Sequence, residues 1–253
     1  MSARAKSSRI EPQGTTGVFT FDCRRISSSD FFPLRHDNVP EPSGQIPVDS
    51  FLDNVLSRLL RTVLPTGAQG GVRRIKLGDE RLLTASEVFG LERVVTKTRR
   101  ASGTARSLAR ELCAHLGFPT DEIPRSLSGA PVWPTGTVGS ISHDTGLAMA
   151  VVARSSALTG VGVDIEPMEI LDDEVMAILA TDEEYRGLQY GAGKTLFSIK
   201  EAVFKAVNPY DRVFLDFKDV VVDFSSRVAT TSYGRRVSWR VITEHRVMAV
   251  AWW

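Results

Sequence analysis

Two short stretches of the sequence decide the fold: residues 162–166, GVDIE, and residues 197–206, FSIKEAVFKA. The first stretch predicts a strand, in which Asp164 and Glu166 share the face opposite to the apolar side chains. Two carboxylates at i and i+2 lie about 7 Å apart along a strand, so both can reach one ion. Mg²⁺ typically takes one or two protein carboxylates together with waters and phosphate oxygens. A strand end with solvated acids is the alternative interpretation.

The second stretch predicts a helix, on which Glu201 and Lys205 stand one turn apart on the same face. Such spacing alone indicates a surface ion pair, which contributes only about 0.2–0.5 kcal/mol. Phe197 and Phe204 frame the charged side with aromatic bulk, which favours a partly enclosed site. The two stretches together offer three carboxylates and one ammonium, which can hold a divalent cation against a diphosphate and move protons beside it.

The order of periodic segments predicts an α+β fold with helices on mainly antiparallel sheets. Helices are predicted over residues 51–64, 99–116, 170–180 and 196–208, the last one ended by Pro209. Strands are predicted over residues 138–142, 147–153, 158–166, 220–224, 236–242 and 246–252. Residues 1–17 are rich in Ser, Arg, Gly and Thr, a composition that predicts a disordered tail.

The bulk properties indicate a cytoplasmic protein that binds neither nucleic acid nor membrane. The 253 residues carry a net charge of +1, which gives no global attraction for nucleic acid or lipid. No apolar stretch is long enough to span a bilayer, and the N-terminus lacks the apolar core of a signal peptide. The two cysteines, Cys23 and Cys113, lack metal-ligand spacing and are expected to be reduced. A monomer is expected.

Two apparent catalytic motifs fail on geometry. Ser142, His143 and Asp144 are neighbours on an extended segment, so their side chains alternate in direction and cannot form a local relay. His143 could instead donate to a phosphate oxygen, or be an exposed loop histidine. Residues 191–195, GAGKT, imitate the end of a P-loop, but its first glycine would fall at Leu188, and we reject that interpretation.

The predicted helix over residues 99–116 carries an arginine stripe opposite its apolar side. Arg99, Arg106 and Arg110 can hold the phosphates of a large anionic cofactor, because the guanidinium fork matches phosphate oxygens. Gly103, on the same side, would allow a close approach. A solvated helix face is the alternative.

These segments, taken together and in this order, resemble the 4′-phosphopantetheinyl transferases, and most of all the enterobactin-synthetase component D type within the Sfp-like group. The resemblance covers about 110 residues, from 97 to 209. The residues that carry it are Arg99, Arg100, Arg106 and Arg110; Pro124 and Arg125; residues 129–134, GAPVWP; residues 138–143, VGSISH; residues 162–166, GVDIE; and residues 196–206, LFSIKEAVFKA.

The resemblance implies that the phosphopantetheine arm of coenzyme A is transferred to a serine of an acyl or peptidyl carrier protein, which releases adenosine 3′,5′-bisphosphate. It also implies two pseudo-symmetric α+β halves, residues 18–150 and 151–253, with the active site at their interface. The first half would contact the adenosine and phosphates of coenzyme A. The second half would carry Mg²⁺ and the catalytic carboxylates.

Carried over to this sequence, the family's metal ligands are Asp164 and Glu166. Glu201 would take the proton from the carrier serine, directly or through water, would bind the metal, or would do both. Lys205 would stabilise or protonate the departing phosphate. Coenzyme A would be held by six further side chains: Arg125 and His143 on the diphosphate, Ser142 in the same pocket, and Arg99, Arg106 and Arg110 on the 3′-phosphoadenosine end.

Two departures from the family pattern affect these roles. Ile165, between the two metal ligands, is apolar, so a third ligand must be Glu201 or water. Asp144 follows His143, where relatives often have a small or thiol residue. The choice of carrier, the tolerance of acylated coenzyme A and a non-catalytic, coenzyme A- or carrier-binding homologue with a degenerate site all stay open.

Overall fold

The computed structural model describes residues 48–91 and 94–253, which form an α+β fold with two antiparallel sheets. The expected class and the antiparallel character of the sheets are confirmed. The tail predicted for residues 1–17 and the cysteine at position 23 lie outside the described residues. Cys113 is buried and free.

The described part of the chain contains six α-helices: α1 (Val48–Val63), α2 (Ala85–Val88), α3 (Thr96–His115), α4 (Asp173–Leu179), α5 (Asp182–Gly187) and α6 (Gly193–Asp211). All four helices predicted from the sequence are present, with shifted ends. The predicted stop before Pro209 is wrong, because α6 continues through Pro209 to Asp211 and ends at Arg212, whose φ is 51°. In the last turn of a helix, a missing N–H costs a single hydrogen bond.

The first sheet has the strand order β1-β3-β2, with β1 (Ala68–Arg74), β2 (Thr137–His143) and β3 (Leu147–Arg154). Helix α1 covers the outer edge of β1: the Ser57 hydroxyl accepts from the Val72 N–H (2.9 Å), and Asp53 accepts from the Arg74 N–H (3.0 Å). An edge strand covered in this way offers fewer unpaired backbone groups to another chain.

The second sheet has the order β4-β8-β7-β6-β5, with β4 (Val161–Glu166), β5 (Val220–Asp223), β6 (Val228–Thr231), β7 (Arg236–Ile242) and β8 (Val247–Trp252). Its core is formed with α6, whose buried residues include Leu196, Ile199 and Val203. Strand β3 of the first sheet ends at Arg154. Residue 150, near the predicted junction of the two halves, therefore lies inside β3.

The two sheets meet where β2 of the first lies beside β4 of the second. The Ser140 hydroxyl accepts a hydrogen bond from the Val163 N–H at 3.1 Å. A single apolar cluster joins Met149 of the first sheet to Val163 and Met248 of the second. We call this boundary the β2–β4 seam. None of the helices in residues 48–91 and 94–253 is long and apolar enough to cross a membrane.

Candidate active site

Asp164, on β4 at the β2–β4 seam, is the centre of a hydrogen-bonded cluster. It is buried, and its Oδ1 accepts from Ser142 Oγ at 2.9 Å and from Lys205 Nζ at 2.7 Å. Its Oδ2 accepts from Ser198 Oγ at 3.0 Å. The cluster thus unites a strand of each sheet with α6, and both carboxylate oxygens have a fixed direction.

Glu166 ends β4 and forms an ion pair with Lys194, whose Nζ lies 2.9 Å from Oε2. Burial and the nearby Asp164 charge raise the pKa of Glu166 above its usual range. Two carboxylates of one strand therefore repel each other electrostatically, and each has a lysine as counter-ion. A divalent cation would relieve the same repulsion.

Glu201 and Lys205 lie on one face of α6, with 4.0 Å between Oε2 and Nζ. Burial raises the pKa of Glu201, the Lys205 charge acts to lower it, and the Asp164 and Glu166 charges raise it, so the net shift is upward. Burial acts to lower the pKa of Lys205, but the Asp164 and Glu201 carboxylates outweigh it and raise that pKa. Glu201 therefore accepts a proton more readily than a solvated glutamate, while Lys205 stays cationic.

The metal set of Asp164, Glu166 and Glu201 that the resemblance implies stays a prediction. Within residues 48–91 and 94–253, no three His, Cys, Asp or Glu side chains are grouped closely enough to hold a metal ion by themselves. Asp164 and Glu166 are each paired with a lysine, Lys205 and Lys194 respectively. The donors fit a hard cation that takes one or two carboxylates and completes its shell with water and phosphate oxygens.

His143 is the exposed last residue of β2, and its position alternates with that of Ser142 on the strand. Partial desolvation and the nearby Lys205 ammonium lower the pKa of His143. Ser142 is buried and donates to Asp164, as described above. The sequence-predicted residues Ser142, Asp164 and Lys205 are thus in direct contact, and Glu201 and His143 are close enough for their charges to interact with Lys205.

Arg106 is buried within the protein and supports a loop. Its Nε donates to the Ile123 carbonyl at 2.9 Å, and its terminal nitrogen donates to the Ser102 hydroxyl. Burial lowers the pKa of Arg106 to about 10. Gly103 also differs from expectation: a side chain there would overlap the Asp79 carbonyl, so its close approach serves helix packing and not a phosphate.

Arg110 forms an ion pair with Glu87, a fully buried acid in α2. One guanidinium nitrogen lies 2.6 and 2.7 Å from the two carboxylate oxygens, and the other donates to the Leu82 carbonyl at 2.9 Å. Glu87 also accepts from the Ile123 N–H at 2.8 Å. Separating a buried ion pair leaves an uncompensated charge, so these contacts favour an indirect role for Arg110 over the predicted phosphate contact.

Arg99 and Arg125 are better placed to receive an anion. Arg99 lies in the first turn of α3, and its buried Nε has no hydrogen-bond partner within the described residues. A buried donor without an acceptor is unusual in folded proteins, and an oxygen of a bound anion would supply the missing acceptor. Arg125 donates from Nε to the Gly129 carbonyl at 3.3 Å, which holds the guanidinium beside that loop.

The sequence interpretation missed two members of the site, Lys194 and Ser198. With Glu201 and Lys205 they occupy positions i, i+4, i+7 and i+11 of α6, which is one continuous face of a helix. This polar stripe was readable from the sequence. The rejected P-loop segment, residues 191–195, follows α5 and enters the first turn of α6, so no strand precedes it.

Comparison with protein families adds two adjacent matches. A family model described as the 4′-phosphopantetheinyl transferase N-terminal domain matches residues 86–153. The model of the 4′-phosphopantetheinyl transferase superfamily matches residues 160–251, which include every acidic residue of the candidate site.

Two of three curated relatives carry the same description, and the third is an enterobactin synthase component. The chain is 30% identical over 171 residues to 4′-phosphopantetheinyl transferase Npt of Nocardia iowensis, a match that covers 66% of this chain and 77% of that protein. It is 36% identical over 146 residues to 4′-phosphopantetheinyl transferase Svp of Streptomyces mobaraensis, covering 54% of this chain and 59% of Svp. It is 39% identical over 93 residues to enterobactin synthase component D of Salmonella typhi, covering 34% and 37%.

Proposed function

Because the chain belongs to the 4′-phosphopantetheinyl transferase superfamily, we propose that it transfers the 4′-phosphopantetheine arm of coenzyme A to a serine of an acyl or peptidyl carrier protein. Adenosine 3′,5′-bisphosphate would be the second product. The observation that carries the proposal is the cluster at the β2–β4 seam, where Lys205 contacts Asp164 and Ser142, one turn from Glu201.

Glu201 is proposed as the general base. The serine oxygen of the carrier forms a bond to the phosphorus on the pantetheine side of the diphosphate, and the bond from that phosphorus to the bridging oxygen breaks. The serine proton passes to Glu201, whose raised pKa suits a proton acceptor. The negative charge appears on the departing bisphosphate, where the cationic Lys205 stabilises it.

Asp164 and Glu166 are the residues proposed to hold Mg²⁺. When bound there, the ion would neutralise charge that develops on the diphosphate during transfer. Both carboxylates are paired with lysines, at 2.7 and 2.9 Å, so one oxygen of each already faces positive charge. Leaving Glu201 outside the ligand set keeps its carboxylate available for the serine proton.

The anionic co-substrate is proposed to be gripped from the first sheet and the segments around it. Ser142 and His143 lie at the end of β2, next to the Asp164 cluster. Arg125 and Arg99 supply guanidinium groups, and the Arg99 Nε, which lacks a partner among the described residues, supports a phosphate role. Arg106 and Arg110 act indirectly, through the loop and the helix that they hold in place.

A non-catalytic homologue that only binds coenzyme A or the carrier is the second candidate. Mass spectrometry of apo carrier proteins incubated with this protein, coenzyme A and Mg²⁺ separates the two, with EDTA as the control. A gain of about 340 Da, the mass of the transferred arm, that disappears with EDTA would support the transferase. Coenzyme A binding without mass gain on any acyl or peptidyl carrier would overturn it.

A further inference from the structure

Every second residue from Ser140 to Asp144, along β2 and into the turn after it, forms a hydrogen bond with the second sheet or the turn between its strands β7 and β8. Ser140 accepts from the Val163 N–H at 3.1 Å, and Ser142 donates to Asp164 at 2.9 Å. Two residues further on, Asp144 accepts from Arg246 Nε at 2.6 Å. The first two hydrogen bonds hold the middle of the β2–β4 seam together, and the third holds the end of the seam beside His143.

The two carboxylate oxygens of Asp144 make different contacts. Oδ1 accepts from the backbone N–H groups of Gly146 and Leu147, both at 2.7 Å, and so shapes the turn between β2 and β3. Oδ2 faces Arg246, which is 102 residues away in sequence. The side chain of Asp144 is only 1% exposed, so this ion pair is shielded from solvent on the acid side and is screened less than a surface pair.

Arg246 connects this turn to the strand that carries the proposed metal ligands. It lies in the tight turn between β7 and β8 and donates from its terminal nitrogen to the His245 carbonyl at 2.8 Å. The next residue, Val247, pairs with Glu166 in the antiparallel ladder of β8 and β4. The Asp144–Arg246 ion pair, the peptide link from Arg246 to Val247 and the β8–β4 ladder thus connect the turn after His143 to Glu166.

We propose that Asp144 and Arg246 are positioning residues that set the separation between His143 and Glu166. The inference rests on the proposed function, in which His143 grips the diphosphate of coenzyme A and Glu166 holds the cation bound to it. Both groups must bind the same diphosphate. A shift of the β2–β3 turn or of the β7–β8 turn would therefore misalign His143 and Glu166 on it. Neither Asp144 nor Arg246 needs to touch the co-substrate.

The test uses Asp144→Asn and Arg246→Gln in the full chain. The amide oxygen of the introduced asparagine can still accept from the turn, while its NH₂ group meets the Arg246 donor, so the variant breaks the link between sheets and spares the turn. We expect the KM for coenzyme A to rise about tenfold, with kcat reduced less than about threefold. The dissociation constant of coenzyme A, measured by calorimetry without carrier, should rise in parallel.

The double variant and two controls make the result specific. If the two residues act through each other, Asp144→Asn with Arg246→Gln should be no worse than either single change. Arg246→Lys, which keeps the charge, should restore most of the coenzyme A affinity. Arg73→Gln breaks an ion pair of the same 2.6 Å length between β1 and α3 and should leave the KM unchanged.

Three outcomes would overturn the inference while leaving the proposed function intact. These are an unchanged KM in Asp144→Asn, an equal rise in the Arg73→Gln control, and additive effects in the double variant, all measured with an active wild-type enzyme. A wild-type protein that modifies no carrier would instead overturn the proposed function. Calorimetry with coenzyme A alone would then still decide whether the link between sheets affects binding.

Discussion

Gly162 of β4 lies against Ala202 of α6 at backbone contact: a methyl group on Gly162 would overlap the Ala202 carbonyl oxygen. Gly162 shares a strand face with Asp164, two residues on, and Ala202 directly follows Glu201. The glycine therefore sets the distance at which the proposed metal ligand and the proposed base face each other. Close packing of helix on strand is what brings Lys205 into contact with Asp164.

Gly162→Ala should accordingly reduce both stability and transfer activity. The added methyl group forces α6 away from β4, and overpacking of this kind costs roughly 1–3 kcal/mol. Urea unfolding followed by circular dichroism measures the first effect, and carrier modification measures the second. Gly187→Ala is the matched control, because a side chain there meets no described atom within 4 Å. Wild-type behaviour of Gly162→Ala would disprove the contact.

Lys200→Met should destabilise the protein without acting on the site chemistry. Lys200 is 1% exposed, and its ammonium donates to Glu184 at 2.8 Å and to the Leu179 and Phe217 carbonyls, both at 2.9 Å. Removing one partner of a buried ion pair typically costs about 3–5 kcal/mol. The free energy of unfolding, from urea titration, should fall by that amount.

The control for Lys200 is Arg100→Met, which removes the partly exposed pair with Glu80. An ion pair near solvent contributes little to stability, so this variant should stay close to wild type. Equal losses in the two variants would show that burial does not distinguish the pairs. A Lys200→Met protein as stable as wild type would contradict the structural role of Lys200.

The sequence predicts the elements that carry the chemistry because their periodicity is strong. Alternation over residues 161–166 and the helical pattern before Asn208 identify β4 and α6, and both carry their charged residues where expected. Strand β1 was missed, since its sequence AQGGVRR holds two glycines and only a single branched apolar residue. Its strand conformation depends on pairing with β3, which is a tertiary contact.

The arginine stripe shows the limit of reading one helix alone. Spacing predicts that Arg106 and Arg110 lie on the side of α3 away from its apolar stripe, but spacing does not reveal what covers that side. In the structure the buried Glu87 and the Ile123 carbonyl lie there and take both guanidinium groups. Partners this distant in sequence, 23 residues for Glu87 and Arg110, carry no local signal.

Asp164→Asn should weaken metal binding and activity together. The amide has the size of the carboxylate but lacks its charge, so the cation loses its most buried ligand. With Mn²⁺ as the probe and coenzyme A present, calorimetry should show a dissociation constant raised about tenfold or more. Carrier modification should fall in parallel. Asp121→Asn, at an exposed loop aspartate, is the matched control.

Full activity of Asp164→Asn at low Mg²⁺ would exclude Asp164 as a metal ligand. Unchanged Mn²⁺ affinity with lost activity would instead assign Asp164 to orienting Lys205, with which it shares the 2.7 Å contact. The two readouts thus distinguish the metal role from the ion-pair role.

Glu201→Gln should separate proton transfer from binding. The variant keeps the shape of a side chain that is 14% exposed and lies 4.0 Å from Lys205, so the packing of α6 is preserved. Loss of a general base lowers turnover by about 10²-fold or more, whereas ground-state affinity for coenzyme A should stay within about twofold. Single-turnover carrier modification and calorimetry measure the two quantities, and Glu183→Gln on the exposed side of α5 is the control.

Unchanged turnover would remove Glu201 from the role of base. A loss of coenzyme A affinity equal to the loss of turnover would assign Glu201 to binding, because an interaction made only in the transition state leaves the ground-state complex intact.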